Sequence, residues 1–178
     1  MIMRILAMLG AVLTAAPPVV ELAVGDQLPP LKGEFLSGRT AVLPQAASGR
    51  VALLMLGFTY DSRFQVEAWA KRFRMDFGTK PGITFFEIPM IGGMARMGKW
   101  FIDSGMRRGT PKADHENVIT VYGGTDRWKQ RVGLNDPVAA YLILIDQHGR
   151  VRWRSAGSLD VQRYSALSSE VSRLLSED

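Results

Sequence analysis

Eight consecutive residues, VALLMLGF (51–58), carry neither a charge nor a polar side chain. A strand with one wet face alternates apolar and polar residues, so an unbroken apolar run of this length fits a strand covered on both faces. A short polar loop follows. Val66, Trp69, Ala70, Phe73 and Phe77 then recur at the spacing of a helix with one buried stripe, with Lys71, Arg72, Arg74 and Asp76 between them. Gly78 and Pro81 end that helix. A doubly covered strand needs partners on both edges and layers on both sides, which points to an α/β domain.

The rest of the chain repeats the alternation. SGRT (37–40) reads as the turn of an N-terminal β-hairpin between Phe35-Leu36 and Ala41-Val42-Leu43. ITFFEIPM (83–90) is a second apolar strand. Gly92-Gly93 leads to a segment in which Met94, Met97 and Phe101 sit at helical spacing. ENVITVYG (116–123) reads as a third strand, and 126–132 as a short helix opened by Thr125. AAYLILID (139–146) has a central-strand pattern, and RVRWRSAG (150–157) alternates like an exposed edge strand. Val161, Leu167, Val171, Leu174 and Leu175 mark the buried stripe of a closing helix. The order β-α-β-α-β-α-β-β-α, with a closing hairpin and helix, specifies a thioredoxin-like fold: a central mixed sheet flanked by helices.

The 178 residues contain no cysteine and two histidines, His115 and His148. Disulfides, thiol catalysis and thiolate metal ligation are therefore excluded, and neither metal nor cofactor is expected. Each histidine reads as a solvated loop residue. The net charge of +5 comes from basic residues spread along the chain. Without a basic run, nucleic acid is not an expected partner, whereas contact with a membrane surface suits the charge. MIMRILAMLGAVLTAAPP opens with Arg4 before an uncharged apolar stretch and small residues at 15 and 16. Residues 1–16 are expected to be a signal peptide or a short membrane tether, giving a periplasmic or otherwise extracytoplasmic protein. Residues 21–178 then form one domain.

RVALLMLGFTYDSRFQVEAW (50–69) is similar to the first strand, active loop and helix of thioredoxin-like proteins, with the texture of the Sco and peroxiredoxin branches. In a Sco-type alignment the two metal-binding cysteines would fall on Asp61 and Gln65. RVGLNDPVAAYLILIDQHGRVRWRSAG (131–157) resembles the C-terminal signature of the mitochondrial ATP synthase assembly factor family. The matching residues are Tyr141, the strand 142–145, Asp146, Gly149, and the basic-apolar-basic-Trp strand 150–153. The resemblance implies the thioredoxin-like fold and a chaperone-like role for a membrane complex. The thioredoxin cis-proline position corresponds to Ala140, and Pro137 lies three residues too early. The resemblance thus extends to the scaffold and not to the redox chemistry.

Two regions are candidates for binding. In DSRFQ, Asp61 or Ser62 caps a helix N-terminus, where amides and Arg63 favour an anion or a partner's carboxylate; as plain caps they bind nothing. Superfamily geometry would bring Tyr60, Gln65, Glu67 and Tyr141 to the same mouth. The second region holds Met94, Met97 and Trp100, with Arg107 and Arg108 beside them. This is the chemistry of an adaptable apolar binding surface, or else one face of an ordinary helix packed on the sheet. Trp153 either stacks with an arginine or packs in the core. Two functional readings follow. One is a non-redox, exported binding or assembly factor for a membrane or envelope protein. The other is a thiol-independent enzyme or small-ligand-binding protein using the 60–67 loop. No catalytic residue is assigned.

Overall fold

A computed structural model describes residues 19–92 and 98–177. The N-terminal segment 1–16 and the candidates Met94 and Met97 lie outside the described residues. The strands are β1 (Leu31–Phe35), β2 (Thr40–Leu43), β3 (Val51–Gly57), β4 (Ile83–Pro89), β5 (Ile119–Thr120), β6 (Tyr141–Ile145) and β7 (Val151–Ala156). The helices are α1 (Ser62–Phe77), α2 (Lys99–Gly109), α3 (Thr125–Val132) and α4 (Val161–Ser176).

The apolar run 51–58 became the centre of the sheet β4-β3-β6-β7. β3 pairs parallel with β4 and antiparallel with β6, and β6 pairs antiparallel with β7. The hairpin β1–β2 joins β5 in a second, three-stranded sheet. Single parallel bridges, Glu87 with Val118 and Met90 with Val121, connect β5 to the edge of β4. The expected strand at 116–123 therefore contracts to two residues, flanked by isolated bridges.

The side chains of β3 explain its composition. Ala52, Leu54 and Leu56 face one core with the hairpin, Trp128 and Val132 of α3, and Ile143 and Ile145. Val51, Leu53 and Met55 face the other, against Val66, Trp69, Ala70, Phe73 and Phe77 of α1 and Leu167, Val171 and Leu174 of α4. Every residue of β3 is buried. The whole predicted stripe of α1 is inside. Trp153 packs against Trp69, with ring centroids 6.5 Å apart, which decides between its two readings in favour of the core.

The segment 146–154 is structural throughout. Asp146 is 5% exposed. Its Oδ1 accepts from the backbone N–H groups of His148 (3.0 Å) and Arg150 (2.9 Å), and its Oδ2 from Arg152 Nη1 (3.1 Å). Gly149 turns the chain at φ +79°, where a Cβ would lie 2.7 Å from Pro44. Arg154 pairs with Glu21 and donates to the Val132 carbonyl, each at 3.1 Å. The acid, the glycine and the arginines fasten the β6–β7 turn, the entry segment and the end of α3 together.

Burial pushes the Asp146 carboxyl upward, but the Arg150 amide, Arg152 and the His148 amide outweigh it and hold its pKa below the usual value. A depressed carboxylate contributes stability above its unfolded-state pKa and loses it as pH falls through the folded value. Asp146→Asn is expected to cost about 2 kcal/mol at neutral pH, because it removes a charge-assisted set of hydrogen bonds from a buried site. It should also flatten the acid limb of stability. Denaturant titrations at pH 7 and across the acid range check both effects.

Candidate functional site

Gly57 ends β3 where α1 must approach closely: a Cβ there would lie 2.6 Å from Ser62 Oγ. The loop from Phe58 to Asp61 is closed by a reciprocal Thr59–Ser62 pair. Ser62 Oγ donates to the Thr59 carbonyl (2.7 Å) and accepts from Thr59 N–H (3.2 Å). Ser62 N–H donates to Thr59 Oγ1 (3.2 Å), which itself donates to the Pro137 carbonyl (2.9 Å). Ser62 is fully buried. Asp61 occupies the N-cap position, but its side chain makes no capping hydrogen bond. The closure expected of Asp61 or Ser62 thus belongs to Ser62 with Thr59.

The remaining first-turn amides are also engaged. Arg63 N–H donates to the Tyr60 carbonyl (3.4 Å) and Phe64 N–H to the Asp61 carbonyl (3.3 Å). The helix start consequently has acceptors for the donors an anion would use. Arg63 lies over two rings, 4.2 Å from the Tyr60 centroid and 4.6 Å from that of Phe64. Tyr60 and Phe64 are 71% and 55% exposed. Together they form an aromatic–guanidinium rung on the surface. Phe64 is a residue that sequence reasoning missed, since it falls off the apolar stripe of α1.

Gln65 faces inward. Its Oε1 accepts from Ala140 N–H at 3.2 Å, and the Ala139–Ala140 peptide is trans. A proline at this position has no N–H to satisfy; alanine has one, and it is fully buried. Gln65, at the position of the second cysteine in the Sco-type alignment, supplies the acceptor. Tyr141 is buried beneath this junction. Its hydroxyl accepts from Asn135 N–H (2.9 Å) and Asp136 N–H (3.0 Å) and lies 3.1 Å from Asn135 Oδ1, while Phe58 meets its ring edge-on. Its polar group serves the 135–136 loop.

Asp61 and Glu67 are both exposed. Glu87 of β4, in register with Met55, is half-buried on the α1 side of the sheet. Burial raises its pKa to about 7, against the opposing charge of Arg74 and with the help of Glu67 and Asp114. His115 Nε2 lies 3.0 Å from the Thr110 carbonyl, a half-buried loop contact, whereas His148 is exposed.

The second candidate region is built differently from an ordinary packed helix. Trp100 and Phe101 of α2 are 69% and 74% exposed. Arg107 Nε donates to the Leu36 carbonyl at 2.7 Å, so its charge anchors the helix to the end of the hairpin. Arg108 is exposed.

Two stability experiments follow from these contacts. Gln65→Leu leaves the Ala140 N–H without its partner and is expected to cost about 1–2 kcal/mol, with faster hydrogen exchange at the Ala140 amide. Glu87 ionises in the unfolded chain well before it does in the folded one. Stability is therefore unaffected by it at low pH and declines as pH rises from the unfolded value through about 7. Glu87→Gln is expected to raise the melting temperature at pH 8 relative to wild type more than at pH 5.

Comparison with solved structures places this site in a known fold. A putative protein disulfide isomerase from Bacteroides thetaiotaomicron aligns with a TM-score of 0.60 at 12% identity, covering 87% of this chain and 91% of that one. A putative thiol:disulfide interchange protein DsbE from Chlorobium tepidum aligns at 0.59 and 18% identity, covering 87% and 99%. A thiol peroxidase from Chromobacterium violaceum aligns at 0.55 and 16% identity, covering 86% and 91%. Identities this low establish the thioredoxin-like fold alone. No curated protein matches the chain. The ATP10 protein family matches residues 23–174, a span that includes the Asp146 turn, the Gln65–Ala140 junction and the cysteine-free loop. This chain therefore belongs to the ATP10 protein family, a family of assembly factors whose role suggests protein partners.

Proposed function

We propose that this protein is a non-redox binding and assembly factor, exported from the cytoplasm, that acts on a membrane or envelope protein. The observation that carries the reading is the Gln65–Ala140 hydrogen bond. It fills the ground between the former thiol position and the former proline position with a structural contact. The buried Ser62 lock and the engaged first-turn amides support the same reading, because they leave the helix start occupied by the protein's own groups. What the region offers a partner is apolar surface, the exposed rings of Tyr60 and Phe64. Aromatic rings and arginine are the side chains that most often anchor protein interfaces. Export rests on the sequence of residues 1–16, with Arg4 before an apolar stretch.

A photo-crosslinking residue at position 60 or 64 is expected to yield adducts with the same membrane or envelope protein. The same probe at Val161, 86% exposed at the start of α4, is expected to yield none. Identical adducts from all three positions, or none from any, would sink the binding role. A fusion of residues 1–20 to a phosphatase that is active only outside the cytoplasm tests export; an inactive fusion refutes it.

A further inference from the structure

The outer face of α2 has a chemistry that neither the fold nor the binding role above requires. The helix is fixed by its polar side. Asp103, its one buried residue, accepts from Tyr122 Oη (2.5 Å) and Lys99 Nζ (2.7 Å), and Lys99 also pairs with Glu34 (2.5 Å). With Asp103 inward and 100° of rotation per residue, Phe101, Gly105 and Arg108 fall on the opposite side, bordered by Ser104; Trp100, about 60° from Asp103 on the same flank, is nonetheless exposed in the first turn. The Trp100 and Phe101 rings meet edge-to-face at 4.8 Å. Asp103 is the only carboxylate in α2, so the outer face carries none. Arg108 has no ion pair among the described residues.

A helix face of phenylalanine and an arginine unpaired among the described residues, with an exposed tryptophan on its flank and no acid of its own, matches the headgroup zone of an anionic bilayer. There aromatic rings sit at the apolar boundary and cations meet phosphate. Eleven residues are too few to cross a bilayer as a helix and suit one lying in its plane. The sequence carries a second element for the same surface, the uncharged apolar run behind Arg4, and stable peripheral attachment takes two such signals. We infer that the outer face of α2 docks on an anionic phospholipid surface, with Trp100 and Phe101 entering the headgroup boundary and Arg108 contacting lipid phosphate. This surface requires no protein client, so it stands or falls apart from the assembly role.

Gly105 provides a test that spares the fold. A Cβ there meets nothing within 4 Å, and replacing a helical glycine favours the helix. Gly105→Glu therefore places a carboxylate on the docking face of a helix at least as stable as before. Ala166→Glu adds the same charge on the exposed side of α4. The full-length protein is mixed with vesicles of phosphatidylcholine, with or without phosphatidylglycerol, and binding is read by flotation and by tryptophan emission. Trp69 and Trp128 are already buried and Trp153 is half-buried against Trp69, so a blue shift that is lost in Trp100→Ala/Phe101→Ala reports Trp100. The expected result is salt-sensitive binding to the mixed vesicles with a blue shift. Gly105→Glu and Trp100→Ala/Phe101→Ala should each weaken it about tenfold or more and remove the shift, while Ala166→Glu matches wild type. Equal binding to neutral vesicles, equal behaviour of the two glutamate variants, or binding to polyglutamate without binding to mixed vesicles overturns the inference.

Discussion

The burial of β3 on both faces is the constraint from which the rest of the architecture follows. A strand without a wet face requires two cores. One is closed by α1 and α4, the other by the hairpin and α3. Each covering element is held by a contact to the segment around β6 and β7. Trp69 of α1 packs on Trp153 and donates from Nε1 to the Gly157 carbonyl at 3.0 Å. Arg154 holds the entry segment and the end of α3. Asp146 holds the turn that makes this possible. The most recognisable stretch of the chain is thus a set of fasteners for the layers, and its residues owe their identities to packing and hydrogen bonding.

Periodicity made most of this legible. Apolar stripes report burial directly, so the face of α1 and the doubly covered strands could be read from spacing alone, as could that of α4 except for Val161, which stands at the first position of the helix and is exposed instead of buried. What escaped depends on partners distant in sequence. Nothing local in Gln65 announces Ala140, seventy-five positions away; only the replacement of proline by alanine hints that a new amide needs an acceptor. The α2 segment left two readings open, a binding surface or a packed face, for the opposite reason. Its aromatic residues suggest an inward face, yet the helix is docked through Asp103, Lys99 and Arg107, and the rings turn out. A buried carboxylate with a tyrosine and a lysine as partners satisfies a helix position as well as a leucine would, and no hydrophobic pattern records it.

The loop between β3 and α1 is shaped by backbone packing and filled by structural side chains. The strand end, the glycine at Gly57 and the close helix start persist because the backbone approach there is steric, set by a Ser62 oxygen that would clash with any Cβ. Thr59 and Ser62 close the loop on itself, and Tyr141 supports the neighbouring turn. Only Tyr60, Arg63 and Phe64 face outward as a group, stacked on one another.

The Gln65–Ala140 contact also couples two positions far apart in sequence. A thiol at position 65 would strand a buried amide donor; a proline at position 140 would strand the glutamine's carbonyl oxygen. Each change is unfavourable alone and acceptable only together. The two positions are thus coupled, and the cost of changing both is smaller than the sum of the costs of changing each.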